Sequence, residues 1–408
     1  MTAPGGDIAA IARHASEARV QQILTELVRV PSPLTDLRER EPLLRAFIDT
    51  AVAPRLGPLG AARLRRDPMG NLLAEFGAGP GRHLLLVTNA MNQPQADMDN
   101  AYAGDVRDGA AFGIDGPVVL GKGASEQKAV LAAVLHAFEV VAAMGRSVAG
   151  RVSLLCCVSG ESGSHEAIAC AMAHFGLSAD MALIGGADMK LSLGNRGRAD
   201  IAVTVTGAPC HSSRPERGAN AITGAQAVLA ALAAGHAPPP PHPQLGPATL
   251  TVTGLRSGPV SSHTVQDRVE ITLDRRLLPG ETPEAAFAAV AALLAPLDGM
   301  PDPVSGLPLG VTAELGPAMH PSLIAADSAL ARTLARSFRD TLGRPVEMIH
   351  ATNAFDQGYL NLHGIPAATW GPGESRFAHT ASDLASVRTV TAAARVYADL
   401  MLRDGAEV

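Results

Sequence analysis

The four cysteines of this chain, Cys156, Cys157, Cys170 and Cys210, show no paired Cys-x-x-Cys spacing, which argues against a disulfide or a structural zinc site built from them. Cys156 and Cys157 fall in a strand-like apolar run, and all four are read as reduced core residues. There is no run of about 18 uncharged apolar residues, so no membrane-spanning helix is expected. Basic residues are not in excess: 33 Lys and Arg stand against 39 Asp and Glu, a net charge of -6. That balance argues against nucleic acid or an anionic membrane as the main partner. Met1 to Asp7 has no basic segment followed by an apolar one, so no secretory signal is read there and a cytoplasmic location is expected. The Gly-rich pieces Gly121-Lys122-Gly123 and Gly371-Pro372-Gly373 lack the Gly-x-x-x-x-Gly-Lys-Ser/Thr pattern that a phosphate loop requires.

What is present is ordinary for a globular protein, with 47% hydrophobic and 18% charged residues. At 408 residues the chain exceeds the size at which one core keeps growing, so two domains are expected. A helix is expected over Ile8 to Val28, a strand over His83 to Thr88, an Ala-rich helix over Ala129 to Met144 and a strand over Arg151 to Val158. Strand, helix and strand in this order predict an α/β fold with a mixed, mostly parallel sheet and flanking helices. The texture changes between about Arg198 and Pro317. Strands at Asp200–Thr206, Ala248–Thr253 and Arg268–Leu273 alternate there with helices at Ala219–Ala234 and Pro283–Leu294, and these βαβ-like repeats predict a small α/β sandwich. Pro238 to Pro243 reads as a loop inside it. A helix over Ala326–Leu342 and a strand ending near His350 lead back to the first domain. The expected organisation is residues 1–197 and 318–408 as one domain, with 198–317 inserted.

Several motifs occur in a fixed order: Gly121-Lys122-Gly123-Ala124-Ser125-Glu126-Gln127-Lys128, then Gly160-Glu161-Ser162-Gly163-Ser164, then Gly207 to Asn220 with His211-Ser212-Ser213-Arg214-Pro215. Asp274-Arg275-Arg276, Gly371-Pro372-Gly373 and Ala378-His379-Thr380 follow. Together they resemble the metallopeptidase family that includes aminoacylase, acetylornithine deacetylase, succinyl-diaminopimelate desuccinylase and carboxypeptidase G. The resemblance runs through most of the chain. It implies a zinc-peptidase-like catalytic domain carrying an inserted dimerisation domain, and a site with two ions bound by carboxylate oxygen and imidazole nitrogen.

This sequence departs from the family pattern in an organised way. Where the family has Gly-His-x-Asp, the chain reads Thr88-Asn89-Ala90-Met91, so an imidazole ligand becomes a carboxamide, a poor ligand for a transition metal. The family's Glu-Pro acid falls within Ile184-Gly185-Gly186-Ala187-Asp188, where Asp188 is close enough to substitute. The first Glu of Glu-Glu, the family's general base, is Gly160 here. Glu166, His165, Asp188 and Asp356 are the open choices for its replacement. By contrast, the resemblance carries Glu126 onto the bridging ligand, Glu161 onto the metal-binding Glu and His379 onto the C-terminal His. The losses cluster on one ion, so one divalent ion, Mn or Zn, is expected on Glu126, Glu161 and His379.

The resemblance places His211 where relatives reach across a dimer interface to polarise the scissile group, although a hydrogen-bonded loop histidine is the plainer reading. Arg276 corresponds to the family's substrate-carboxylate clamp, a task suited to a planar bidentate donor, or else is a solvated strand-end charge. Arg196, Arg198 and Arg214 add anion-binding capacity, Asn220 offers a hydrogen bond, and Asn89, His263, Asn353 and Tyr359 are pocket candidates. The expectation is a homodimeric, metal-dependent hydrolase of a C–N bond in a small carboxylate-bearing molecule. Because the family contains 5-nitroanthranilate aminohydrolase, an electron-poor aromatic amine is a narrower version of that substrate. The alternatives are an ordinary two-metal peptidase and a non-catalytic small-molecule binding protein on the same scaffold.

Overall fold

The run from His83 to Asn89 is buried at every position, as expected of a strand covered on both faces. In the computed structural model, which describes residues 8–160, 162–235, 237–259 and 261–403, it lies near the middle of a nine-stranded sheet. Glu161 and the Met1–Asp7 segment fall outside the described residues. Strands Arg151–Cys157, His83–Asn89, Met181–Ala187 and Ala367–Gly373 lie side by side in that order and are all parallel. Antiparallel pairings flank them, through Leu72–Phe76 and then Arg63–Arg66 on one side and Leu191–Asn195 on the other. The sheet is therefore mixed, with its parallel character confined to the middle.

Helix Gln127–Ala143 is apolar and buried almost all round, because it packs against helices Glu17–Val28 and Val387–Leu402 as well as against the sheet. The helix expected over Ile8 to Val28 is two helices, Ile8–His14 and Glu17–Val28. Ser16 ends the continuity: its backbone is extended, its side chain accepts a bond from Arg19 N, and its own N–H donates to His136 Nε2. Among the cysteines, Cys156 and Cys157 are buried as expected, but Cys170 and Cys210 are only half-buried; all four are unbridged. No described helix is long and apolar enough to cross a membrane.

The chain divides into two compact units. The first comprises the described parts of Met1–Gly194, Leu323–His350 and Phe355–Val408, and the second comprises Asn195–Ser322 with Ala351–Ala354. The second unit extends to Ser322 because strand Gly310–Met319 stays paired with Gly197–Thr206 until Met319 meets Arg198. Its sheet runs Thr249–Gly258, Arg268–Leu277, Gly197–Thr206, Gly310–Met319, with every pair antiparallel. Helices Ala221–Gly235 and Pro283–Leu294 each join two strands of the same direction that are separated by one antiparallel strand. The expected βαβ repeats are thus split ones. Alternation in Arg268–Leu277 puts Val269, Ile271 and Leu273 into the core of this unit.

Candidate metal centre

In open α/β sheets, ligands bind beyond the C-terminal ends of the parallel strands, and the first unit gathers its motif residues there. Gly121 and Gly123 both have positive φ, 149° and 82°. A Cβ on Gly121 would overlap the Val28 side chain, so only glycine lets this turn pass so closely. The turn is fastened to the segment around His379. The N–H groups of Gly123 and Ser125 each donate to the Asp383 carboxylate at 2.8 Å, and Lys122 Nζ donates to Thr380 O at 2.7 Å. Burial pushes the Asp383 pKa up, and the two amide bonds oppose that shift.

These ties bring together side chains far apart in sequence: His379 Nε2 lies 3.1 Å from Glu126 Oε1. The other carboxylate oxygen, Glu126 Oε2, is buried and has no hydrogen-bond partner among the described residues. His379 adopts φ 63°, the left-handed region that a β-substituted residue occupies only at some cost. An imidazole nitrogen beside a carboxylate with one unpaired buried oxygen is a donor set that suits Zn²⁺ or Mn²⁺. The described residues contain no group of three or more His, Cys, Asp or Glu arranged around such an ion, and Glu161, the third expected ligand, lies outside them.

Asn89 and Gly160, read from sequence as separate losses, touch. A Cβ at position 160 would lie 2.5 Å from Asn89 Nδ2 and 3.1 Å from its Cγ. Asn89 is 7% exposed, and its Oδ1 has no hydrogen-bond partner among the described residues. The segment from Ser162 to His165 is pinned at two points, by Ser162 Oγ donating to Glu39 and by His165 Nδ1 at 2.8 Å from Asp356 Oδ1. Burial raises the Asp356 pKa and the bond to His165 lowers it. Tyr359, a pocket candidate, is half-buried with its ring 5.2 Å from that of His165. Among the remaining choices for a base, Glu166 is exposed at a helix start. Asp188 is engaged by Ser375, accepting its N–H at 3.0 Å and its hydroxyl.

The other candidates belong to the second unit. His211 is exposed and its Nδ1 lies 2.8 Å from Ser213 Oγ. Its loop pairs with that of His263, since Ser212 N donates to His263 O at 2.9 Å. Asn220 caps helix Ala221–Gly235, its Oδ1 accepting from Ile222 N at 3.0 Å. Arg196 Nε donates to Leu245 O at 2.7 Å. The Arg276 fork is bidentate to Asp274, at 2.8 and 3.0 Å. Arg198, opposite it in register, is likewise bidentate to Asp200, so acids of the same sheet already pair with these two cations. Arg214 and Asn353 are exposed.

Two residues of the first unit were given no role of their own from sequence. Asp383 carries the turn beside Glu126, and Lys128 is 1% exposed with Nζ donating to Val30 O at 3.0 Å beneath the rings of Phe47 and Tyr102. Burial lowers the Lys128 pKa to about 7. The available signals were a lysine opening an apolar helix and an acid following the C-terminal His.

Residues 193–299 match the family described as "Peptidase dimerisation domain". The uncharacterised Escherichia coli protein YgeY is 24% identical over 401 residues, covering 95% of this chain and 94% of YgeY. Succinyl-diaminopimelate desuccinylase of Dechloromonas aromatica is 27% identical over 202 residues, 47% of this chain and 51% of that protein. Among solved structures, the M20 family metallo-carboxypeptidase of Sulfolobus solfataricus superposes with a TM-score of 0.76 at 16% identity, covering 94% of this chain and 98% of its own. The chain thus has the α/β fold of the M20 peptidases, its inserted unit carrying the match to their dimerisation domain.

Proposed function

We propose that this protein is a metal-dependent hydrolase that cleaves a C–N bond in a small carboxylate-bearing substrate, with one divalent ion held by Glu126, Glu161 and His379. The observation that carries this reading is the contact of His379 Nε2 with Glu126 Oε1, with the buried Oε2 left unpartnered among the described residues. The names of the desuccinylase and of the metallo-carboxypeptidase support the reaction class. An ion held there would polarise the scissile group and make a water acidic enough to attack near neutral pH. Asp383 holds the turn that presents Glu126, and Lys122 holds the segment that presents His379. His211, Arg196, Arg214, Asn220, His263 and Asn353 are assigned to substrate, and the dimerisation-domain match supports a homodimer. A narrower version, ammonia release from an electron-poor aromatic amine such as 5-nitroanthranilate, lowers the demand for the base absent at Gly160.

The neutral Asn89–Gly160 contact favours a second reading, a non-catalytic binding protein. Metal content after loading with Mn²⁺ or Zn²⁺ separates the readings. About one ion per chain, lost in a Glu161→Ala, His379→Ala double variant, is the expected result for the hydrolase. About two ions would indicate an ordinary two-metal peptidase, and none would leave the binding protein.

A further inference from the structure

We infer that Asn89 and Gly160 together form a neutral subsite that binds an uncharged N–H donor of the substrate, such as a primary amide or an aromatic amine. The inference rests on the reading that the substrate site lies at this end of the sheet. Three observations carry it. Asn89 is the last residue of its strand, at the C-terminal end where ligands approach a parallel sheet. Its Oδ1 is a buried acceptor with no partner among the described residues, and such atoms are costly unless something donates to them. Gly160 leaves the space that the carboxamide occupies, since even a methyl group there would sit 2.5 Å from Nδ2.

The chemistry follows from the atom left over. A carboxamide oxygen accepts hydrogen bonds and carries no charge. It therefore selects a donor, and it favours an –NH₂ over a methyl group of the same size. Gly160 contributes by absence: any side chain there displaces Asn89 and with it the acceptor.

The test uses two small acids, succinamate and levulinate, which share a carboxylate and a carbonyl and differ by –NH₂ against –CH₃. Titration calorimetry on the full-length protein loaded with Mn²⁺ should show succinamate binding about tenfold tighter or better. That preference should vanish in Asn89→Leu and in Gly160→Ala and survive in Asn89→Asp, which keeps an acceptor. Gly160→Ala leaves the inference testable if Asn89→Leu does not fold. Equal affinities in the wild type, including no detectable binding of either acid up to its solubility limit, would overturn the subsite, as would a preference unchanged in both variants. The same titration on metal-free protein separates the two proposals. A wild type that takes up no Mn²⁺ yet prefers succinamate removes the hydrolase and keeps the subsite; one that binds Mn²⁺ without that preference does the reverse.

Discussion

Two pairs of residues beside the same sheet end are built from opposite materials. Glu126 and His379 are ionisable, meet across 3.1 Å and leave a carboxylate oxygen unpartnered among the described residues. Asn89 and Gly160 are neutral, and they meet because one has no side chain to obstruct the other. Both lie near the C-terminal ends of parallel strands. Asn89 ends its strand, and Ser125, next to Glu126, accepts a bond from Glu374 N just past Ala367–Gly373. The lesson is that a site can lose charge on one side without losing its order. The neutral side is packed, and the charged side is fastened by Asp383 and Lys122.

Breaking the charged side should have the largest effect. Glu126→Gln or His379→Ala should weaken Mn²⁺ binding about a hundredfold or more, read by calorimetry, because each removes a direct donor. Asn89→Ala should leave that affinity within about threefold, since a carboxamide is a poor ligand for such an ion; a comparable loss there would erase the distinction between the sides.

Next comes Asp383→Ala, which strands two buried amide donors. It should lower stability by about 3 kcal/mol, seen as a reduced urea midpoint, and weaken metal binding about tenfold.

On the neutral side, Gly160→Ala should cost about 1–3 kcal/mol from overpacking against Asn89. Adding Asn89→Ser should return part of that stability, and full additivity in the double variant would show that the two positions are not coupled.

The smallest effect lies away from both pairs and serves as a control. Burial tends to raise the Glu139 pKa, but bonds to His136 and Arg19 outweigh it and hold the group at about 2. A depressed carboxylate stabilises the fold above its unfolded pKa, and that contribution is lost as pH falls from about 4.5 to about 2. Glu139→Gln should flatten the acid limb of the stability profile in that window and leave metal binding unchanged.

Local pattern made much of this legible. Alternation in Arg268–Leu277 and the apolar run at His83 announced their strands, and ordered motifs pointed to Glu126 and His379. Contacts were the part that sequence did not display. Asn89 and Gly160 each read as a substitution, but their mutual packing depends on how two neighbouring strands end. Asp383 resembled any acid near the C-terminus, because its value lies in two backbone amides far away in the chain. The break at Ser16 was hidden by apolar periodicity on both sides, while the residue that reinforces it, His136, lies in another helix. Arg276 looked like an available anion clamp until its own strand supplied Asp274.

The strands at the two ends of the insertion run close together where they leave and rejoin the first unit, Ile324 N donating to Leu193 O at 2.8 Å. To the first unit, whatever lies between is a closed loop. The entropy of closing a loop grows only with the logarithm of its length, about 0.6 kcal/mol for each doubling. Lineages can therefore lengthen, shorten or replace the inserted segment at little cost to the folding of the unit that carries Glu126 and His379.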